Sequence, residues 1–163
     1  MKELLRQLAR YHYWANQILT ERIMLLDPAQ QEQAIPSSFP SLHKTILHMW
    51  DSESTWWQRL KGAESVLLPS KTFNPGFKES VIGLLQQNQL WLEWANSCGK
   101  EDFKMILSYD NSKGEHFEQP IFQMVLHVFN HGTYHRGQLV TMLRQLGVED
   151  IPGTDFILWT RKK

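Results

Sequence analysis

The stretch from Pro120 to Gly147, PIFQMVLHVFNHGTYHRGQLVTMLRQLG, decides most of the reading. Pro120 stands where a first helical residue is favoured, and Gly147 follows Leu146 as a stop signal, which predicts one long helix from Pro120 to about Leu146. Within it His127, His131 and His135 recur every four residues. Each such step rotates about 40° and rises about 6 Å, so the imidazoles form a ladder on one face. An i, i+4 pair can bring two imidazoles to one metal ion, the geometry of helical zinc motifs. The outer two lie about 12 Å apart along the axis, so only an adjacent pair can serve one ion, and spacing alone does not choose which. A bare His-x-x-x-His is a short pattern, and most such ladders are metal-free helix faces.

Working outward, three more segments carry the three-four apolar spacing of amphipathic helices. The first runs from Lys2 to about Leu26 through Leu5, Leu8, Tyr11, Ala15, Ile18 and Leu19, and ends at Asp27-Pro28. A loop with Pro36, Ser37, Ser38, Phe39 and Pro40 follows. The second helix begins at Ser41, a plausible N-cap, and runs to about Leu60, with Gly62 beyond it. Residues 63–76 read as a connecting loop long enough to cross over the bundle. The third helix spans about Lys78 to Ser97. Alternation over 103–109 and 115–119, around an Asp-Asn-Ser-Lys-Gly turn, predicts a small β-hairpin. Thr154 is placed to cap a short last helix from Asp155 to Thr160. The expectation is an all-α chain, one domain over residues 1–163, built as a four-helix bundle with a hairpin between its third and fourth helices.

Composition narrows the function. Acidic and basic side chains number 17 each, and a nucleic-acid binder normally shows a basic excess or stripe. No apolar run approaches the roughly 20 residues of a membrane-spanning helix. The charged, amphipathic start MKELLRQLARYHYWANQ does not read as a signal peptide. Cys98 is the lone cysteine, which excludes an intrachain disulfide and a thiolate metal cage. Together these features predict a cytoplasmic protein that binds neither nucleic acid nor membrane.

A third ligand for a histidine pair must come from another helix, with His12, His43, His48 and His116 as candidates. His48 sits amid Leu47, Met49 and Trp50, which predicts partial burial; His43, in a first turn, and His116, in the hairpin, read as solvated, and His12 as core-edge.

The chain resembles the DinB/YfiT-like family of metal-dependent helical-bundle proteins. The matching stretches are YHYWAN at 11–16, LHMWDSESTWWQRLKG at 47–62 and HVFNHGTYHRGQL at 127–139, with GVEDIPGTDFILWTR at the end. The resemblance covers essentially the whole chain and implies an up-down-down-up topology. It also implies the ligand set: the family's first histidine falls on His48 and its pair on His131 and His135, which leaves His127 a neighbour. Tyr134 stands where many members carry a further histidine, about 100° off the ligand face.

Three imidazoles would leave coordination positions open, as in catalytic metal sites. Nickel or zinc suits such a shell best, with iron or manganese as alternatives. Asp51, one turn after His48, is the candidate for a hydrogen-bond acceptor behind the ligands or a proton-transfer base, and Gln138, three residues after His135, a candidate for orienting a ligand or substrate. Glu53, about 140° around the helix from His48, is a weaker candidate, and Arg136 points off the ligand face, which suggests a structural role such as binding neighbouring backbone or a carboxylate. Relatives implied by the resemblance include bacillithiol S-transferases and a mycothiol-dependent isomerase. The leading expectation is therefore a thiol S-transferase of bacillithiol or glutathione type, acting in stress or detoxification. A small-molecule hydrolase and a non-enzymatic metal-binding stress protein are the alternatives. Relatives of this kind commonly form homodimers, which some of the seven tryptophans could line.

Overall fold

The computed structural model describes residues 1–161. Four long helices form the bundle: α1 (Lys2–Met24), α3 (Leu42–Leu60), α5 (Phe77–Ser97) and α6 (Ile121–Gln145). Two short helices occupy the connections, α2 (Pro28–Glu32) and α4 (Pro69–Thr72), and α7 (Phe156–Arg161) closes the described chain. The hairpin pairs β1 (Ile106–Asp110) with β2 (His116–Pro120) in antiparallel register, Tyr109 opposite Phe117.

The boundaries follow local chemistry. Ser41 caps α3, its hydroxyl accepting from the Lys44 amide. Gly62 and Gly147 adopt φ of +71° and +77°, the left-handed conformation that ends a helix most cheaply at glycine. Pro120 is the last residue of β2 and the N-cap of α6, one position ahead of its expected place. The last helix likewise starts at Phe156, one residue late, with the Asp155 carbonyl accepting from Leu158 and Trp159. Both short helices begin with a proline in the first turn, Pro28 and Pro69, a helix-start signal that short windows conceal.

Contacts along the helices reveal the chain directions. Arg6, near the start of α1, donates to the Ala95 carbonyl at the end of α5, so these two run antiparallel. His43 meets Ser80 and Trp57 meets Trp91, so α3 and α5 run parallel. Thr45 meets Met142, and Trp56 meets His127, so α6 returns antiparallel to α3. The result is up-down-down-up, and the segment joining α3 to α5 must travel the bundle's length. Each of α1 and α3 packs on both α5 and α6.

Two apolar clusters fill the interior. One gathers Leu5, Trp91, Phe103, Met124 and Val125; the other gathers Leu19, Ile46, Leu84, Leu139 and Met142. Each fully buried Leu or Ile in them contributes about 1.5–3 kcal/mol. Between the two clusters lies a polar layer that the sequence reading did not foresee. Arg136 donates to Asn16 Oδ1 (2.9 Å) and to His12 Nδ1 (3.3 Å). His12 Nε2 donates to Glu53 Oε1 (2.9 Å), while Asn16 donates to Asn88 (2.8 Å) and Asn88 to Glu53 Oε2 (2.6 Å). Guanidinium and carboxylate are thus joined by two relays across all four long helices. Gly132 makes this possible, because a Cβ there would fall 2.3 Å from His12 Cε1.

Candidate metal centre

The face of α6 that carries the histidine ladder looks across to α3. His131 Nε2 lies 3.3 Å from His48 Nε2 and 2.9 Å from His135 Nε2. The three potential ligand atoms fall within 4.8 Å of one another, the one such group of three among the described residues. A four-coordinate ion with bonds of about 2.0–2.1 Å spaces its ligand atoms about 3.3 Å apart, so these atoms are close to the required separation. His127, one rung up, packs instead edge-on against Trp56 with ring centroids 5.3 Å apart. The ladder's upper rung is therefore spent on an aromatic contact and its lower two face His48.

Hydrogen bonding sets the direction of one lone pair. Gln138 Oε1 accepts from His135 Nδ1 at 2.7 Å, so the Nδ1 proton is engaged and Nε2 faces the cluster unprotonated. The Gln138 amide nitrogen donates in turn to Ser38 Oγ (3.1 Å) and the Tyr134 hydroxyl (3.2 Å). Such an outer hydrogen bond is what orients a metal-ligating histidine and raises its basicity. His131 has one Nε2 proton at most to offer two facing nitrogens. A cation would satisfy all three lone pairs at once, and the donor set therefore fits a metal.

The electrostatics favour neutral imidazoles. Burial and the neighbouring His135 lower His48 to a pKa of about 4, with Asp51 opposing the shift. Burial, followed by His135, His48, His127 and His12, lowers His131 to about 3. Burial also lowers His135, against the opposing bond from Gln138. Near neutral pH all three rings keep their lone pairs.

Walls for the site come from positions the sequence reading left unassigned. Phe39, in the α2–α3 connection, stacks on His48 with ring centroids 3.9 Å apart and meets His135 edge-on at 5.7 Å. Tyr134 packs edge-on against His135 at 5.1 Å, although its position on the helical wheel is off the ligand face. A long side chain covers the turn beside its own Cα, which a wheel does not show.

The remaining expected residues are distributed as follows. Asp51 Oδ1 accepts from the Ser70 amide at 2.9 Å and so pins α4 against α3. His43 is buried rather than solvated, its two ring nitrogens 2.6 Å from Glu32 Oε1 and 3.1 Å from Ser80 Oγ. His12 is fully buried in the polar layer rather than at the core edge, while His116 is exposed and pairs with Asp110. Arg136 reaches its carboxylate, Glu53, only through His12 and Asn16, and its guanidinium lies over the Tyr11 ring. Cys98 is buried at the end of α5.

Comparison with known proteins gives a consistent picture. The DinB family model matches residues 1–162. Protein DinB of Bacillus subtilis (strain 168) is 28% identical over 166 residues, covering 98% of this chain and 95% of the relative. Among solved structures, YfiT from Bacillus subtilis, described as a probable metal-dependent hydrolase with an unusual four-helix bundle topology, superposes with a TM-score of 0.65. The match spans 91% of each chain at 16% identity. A DinB-like protein from Bacillus cereus ATCC 10987 superposes with a TM-score of 0.53 at 17% identity, over 85% of this chain and 89% of that one. Likeness at this identity speaks for the fold. Among the described residues no helix is long and apolar enough to cross a membrane.

Proposed function

This chain belongs to the DinB family, and from that premise we propose that it is a metal-dependent enzyme whose ion is held by His48, His131 and His135 and whose nucleophile is a low-molecular-weight thiol. The observation that carries the metal reading is the convergence of three Nε2 atoms, with the His135 Nδ1 proton already engaged by Gln138. When bound there, a divalent ion such as nickel or zinc supplies a Lewis acid that lowers the proton affinity of a coordinated thiol or water.

The chain's own residues supply the rest. Gln138 holds the His135 ring in its ligating tautomer. Phe39 covers one face of His48 and keeps water from that side. Asp51 is the carboxylate whose charge His48 feels; its Oδ1 holds the Ser70 amide, and Oδ2 is the atom we assign to take the thiol proton. The sulfur then forms a bond to an electrophilic carbon as the leaving group departs with the bonding pair. The expected place of action is the cytoplasm.

A second reading, hydrolysis of a small molecule by an activated water, has the description of YfiT in its favour. Metal-loaded protein incubated with 1-chloro-2,4-dinitrobenzene and bacillithiol, mycothiol or glutathione separates the two, with the thioether conjugate read by mass spectrometry. Conjugation lost in His131→Ala supports the thiol reading. Inertness with all three thiols, alongside hydrolysis of esters or lactones, moves the assignment to a hydrolase. Turnover in neither assay refutes an enzymatic role and leaves a metal-binding protein.

A further inference from the structure

A cavity of about 620 Å³ lies beside the hairpin, between the end of α3, the segment that follows it, and β1. Its size is that of a small-molecule site. Thr55 lines it and sits seven residues after His48, which places it on nearly the same face of α3 and about 10 Å further along the axis. Behind that wall, contacts lead toward the histidine cluster: the Trp56 ring that underlies the Arg59 guanidinium meets His127 at 5.3 Å, and His127 meets His131 at 5.8 Å.

Arg59 is the unusual lining residue. Its guanidinium lies over the Trp56 ring at 4.8 Å and the Tyr109 ring at 4.9 Å. Among the described residues it makes one hydrogen bond, from Nη2 to the Asp110 carbonyl (3.0 Å), and no ion pair, and its Nε is buried with no partner. Burial lowers its pKa, the penalty expected for a partly desolvated cation without a counter-ion. Arg136, the other arginine held inside the fold, is joined by two relays to Glu53. Two carboxylates reach the Arg59 cavity, Glu64 and Asp110, but both are solvent-exposed, and Asp110 Oδ1 is already taken by His116 Nδ1 at 2.8 Å.

We propose that this cavity is a binding subsite for a carboxylate-bearing small molecule, with Arg59 as the anchor of the carboxylate. A single cation calls for a monoanion, and the rim carboxylates Glu64 and Asp110 repel a second negative charge. Aromatic walls position the guanidinium as a flat, poorly hydrated donor suited to a planar carboxylate. That the bound molecule is the substrate, with its reacting group some 10 Å away at the histidines, rests on the metal-centred reading; the anion site itself does not.

The test is a solution NMR titration of the full chain, stripped of metal by chelator, with 3-phenylpropionate, its neutral amide and phenyl phosphate. The Arg59 Nε–H and Trp56 indole signals are followed. The carboxylate is expected to shift both signals saturably and to bind at least about tenfold more tightly than the amide, the scale of a charge-assisted hydrogen bond. Arg59→Met is expected to abolish that preference, and Arg59→Lys to keep part of it, with both folds checked by circular dichroism. Equal binding of carboxylate and amide, or a preference unchanged in Arg59→Met, overturns the proposal and leaves Arg59 as a clamp on the hairpin. Tighter binding of phenyl phosphate overturns the carboxylate assignment. His131→Ala keeps the two ideas apart: carboxylate preference retained in that variant supports the subsite whatever becomes of metal binding, and preference lost with it places the anion at the histidines instead.

Discussion

Gly132 and Gly137 lie five residues apart in α6, yet the same substitution should push stability in opposite directions. An Ala Cβ at Gly132 falls 2.3 Å from His12 Cε1, 3.0 Å from its Nδ1 and 3.3 Å from Arg136 Nη1. Ordinary carbon contacts are about 3.5–4.0 Å, so the His12 ring must retreat by more than about 1 Å. It has nowhere to go without releasing Glu53, which it holds at 2.9 Å with both groups almost fully buried. Overpacking costs about 1–3 kcal/mol and the lost charge-assisted bond about 1.5–3. Helix propensity returns about 1 kcal/mol, for a net loss of about 1.5–5 kcal/mol. At roughly 2–4 °C per kcal/mol for a chain of this size, Tm should fall by about 3–20 °C. At Gly137 a Cβ meets nothing within 4 Å, so Gly137→Ala keeps only the propensity gain and should stabilise by about 0.5–1 kcal/mol. Urea unfolding of both variants, metal-free and at one pH, measures the pair. A Gly132→Ala protein as stable as the parent would refute the tight His12–Glu53–Arg136 layer described above.

Three other perturbations probe the surroundings of the site. Gln138→Ala should weaken metal binding about 10–100-fold in competition with a chelating dye, and Gln138→Glu should recover most of it by again accepting from His135 Nδ1; an Ala variant with parental affinity rejects the orienting role. In the unfolded chain His48 and His131 take up protons near pH 6.5, but in the fold only near 4 and 3, so the metal-free protein should lose stability as pH falls from about 6.5 toward 4. Denaturation at pH 7.5, 6 and 5 should show that slope, flatter in His131→Ala, and stability that rises on acidification contradicts it. Asp51→Ala removes the acceptor for the Ser70 amide and should expose residues 61–76 to limited proteolysis without a large change in global stability; an unaltered cleavage pattern would count against that anchor.

The long helices were legible because each buries a continuous apolar stripe, and their ends carried Ser41, Gly62 and Gly147 as punctuation. The hairpin was legible from alternation and its turn. The two short helices were not, since five and four residues are too few to show a period. At the site, spacing placed three histidines on one face of α6, but choosing among them took the family resemblance, because the partner ring on α3 is 83 residues away in the chain. The polar layer was invisible for the same reason. Glu53 and Asn88 look like surface residues of amphipathic helices, and although His12 read as core-edge and Arg136 as structural, only the packing of four helices joins them in one buried layer. Phe39 read only as part of a loop and Tyr134 as lying off the ligand face, because a loop ring and a side chain leaning across a turn are placed by tertiary contact rather than by period.

Metal content of gently purified protein, parent beside His48→Ala, bears most directly on the three-histidine centre. His48 is the one ligand contributed from across the bundle, so its loss leaves only the His131–His135 pair on α6. The expected result is about one equivalent of a divalent transition metal per parent chain, with the variant largely depleted but still folded. Full occupancy retained by His48→Ala, or a parent chain that takes up no metal when nickel and zinc are supplied, contradicts the site.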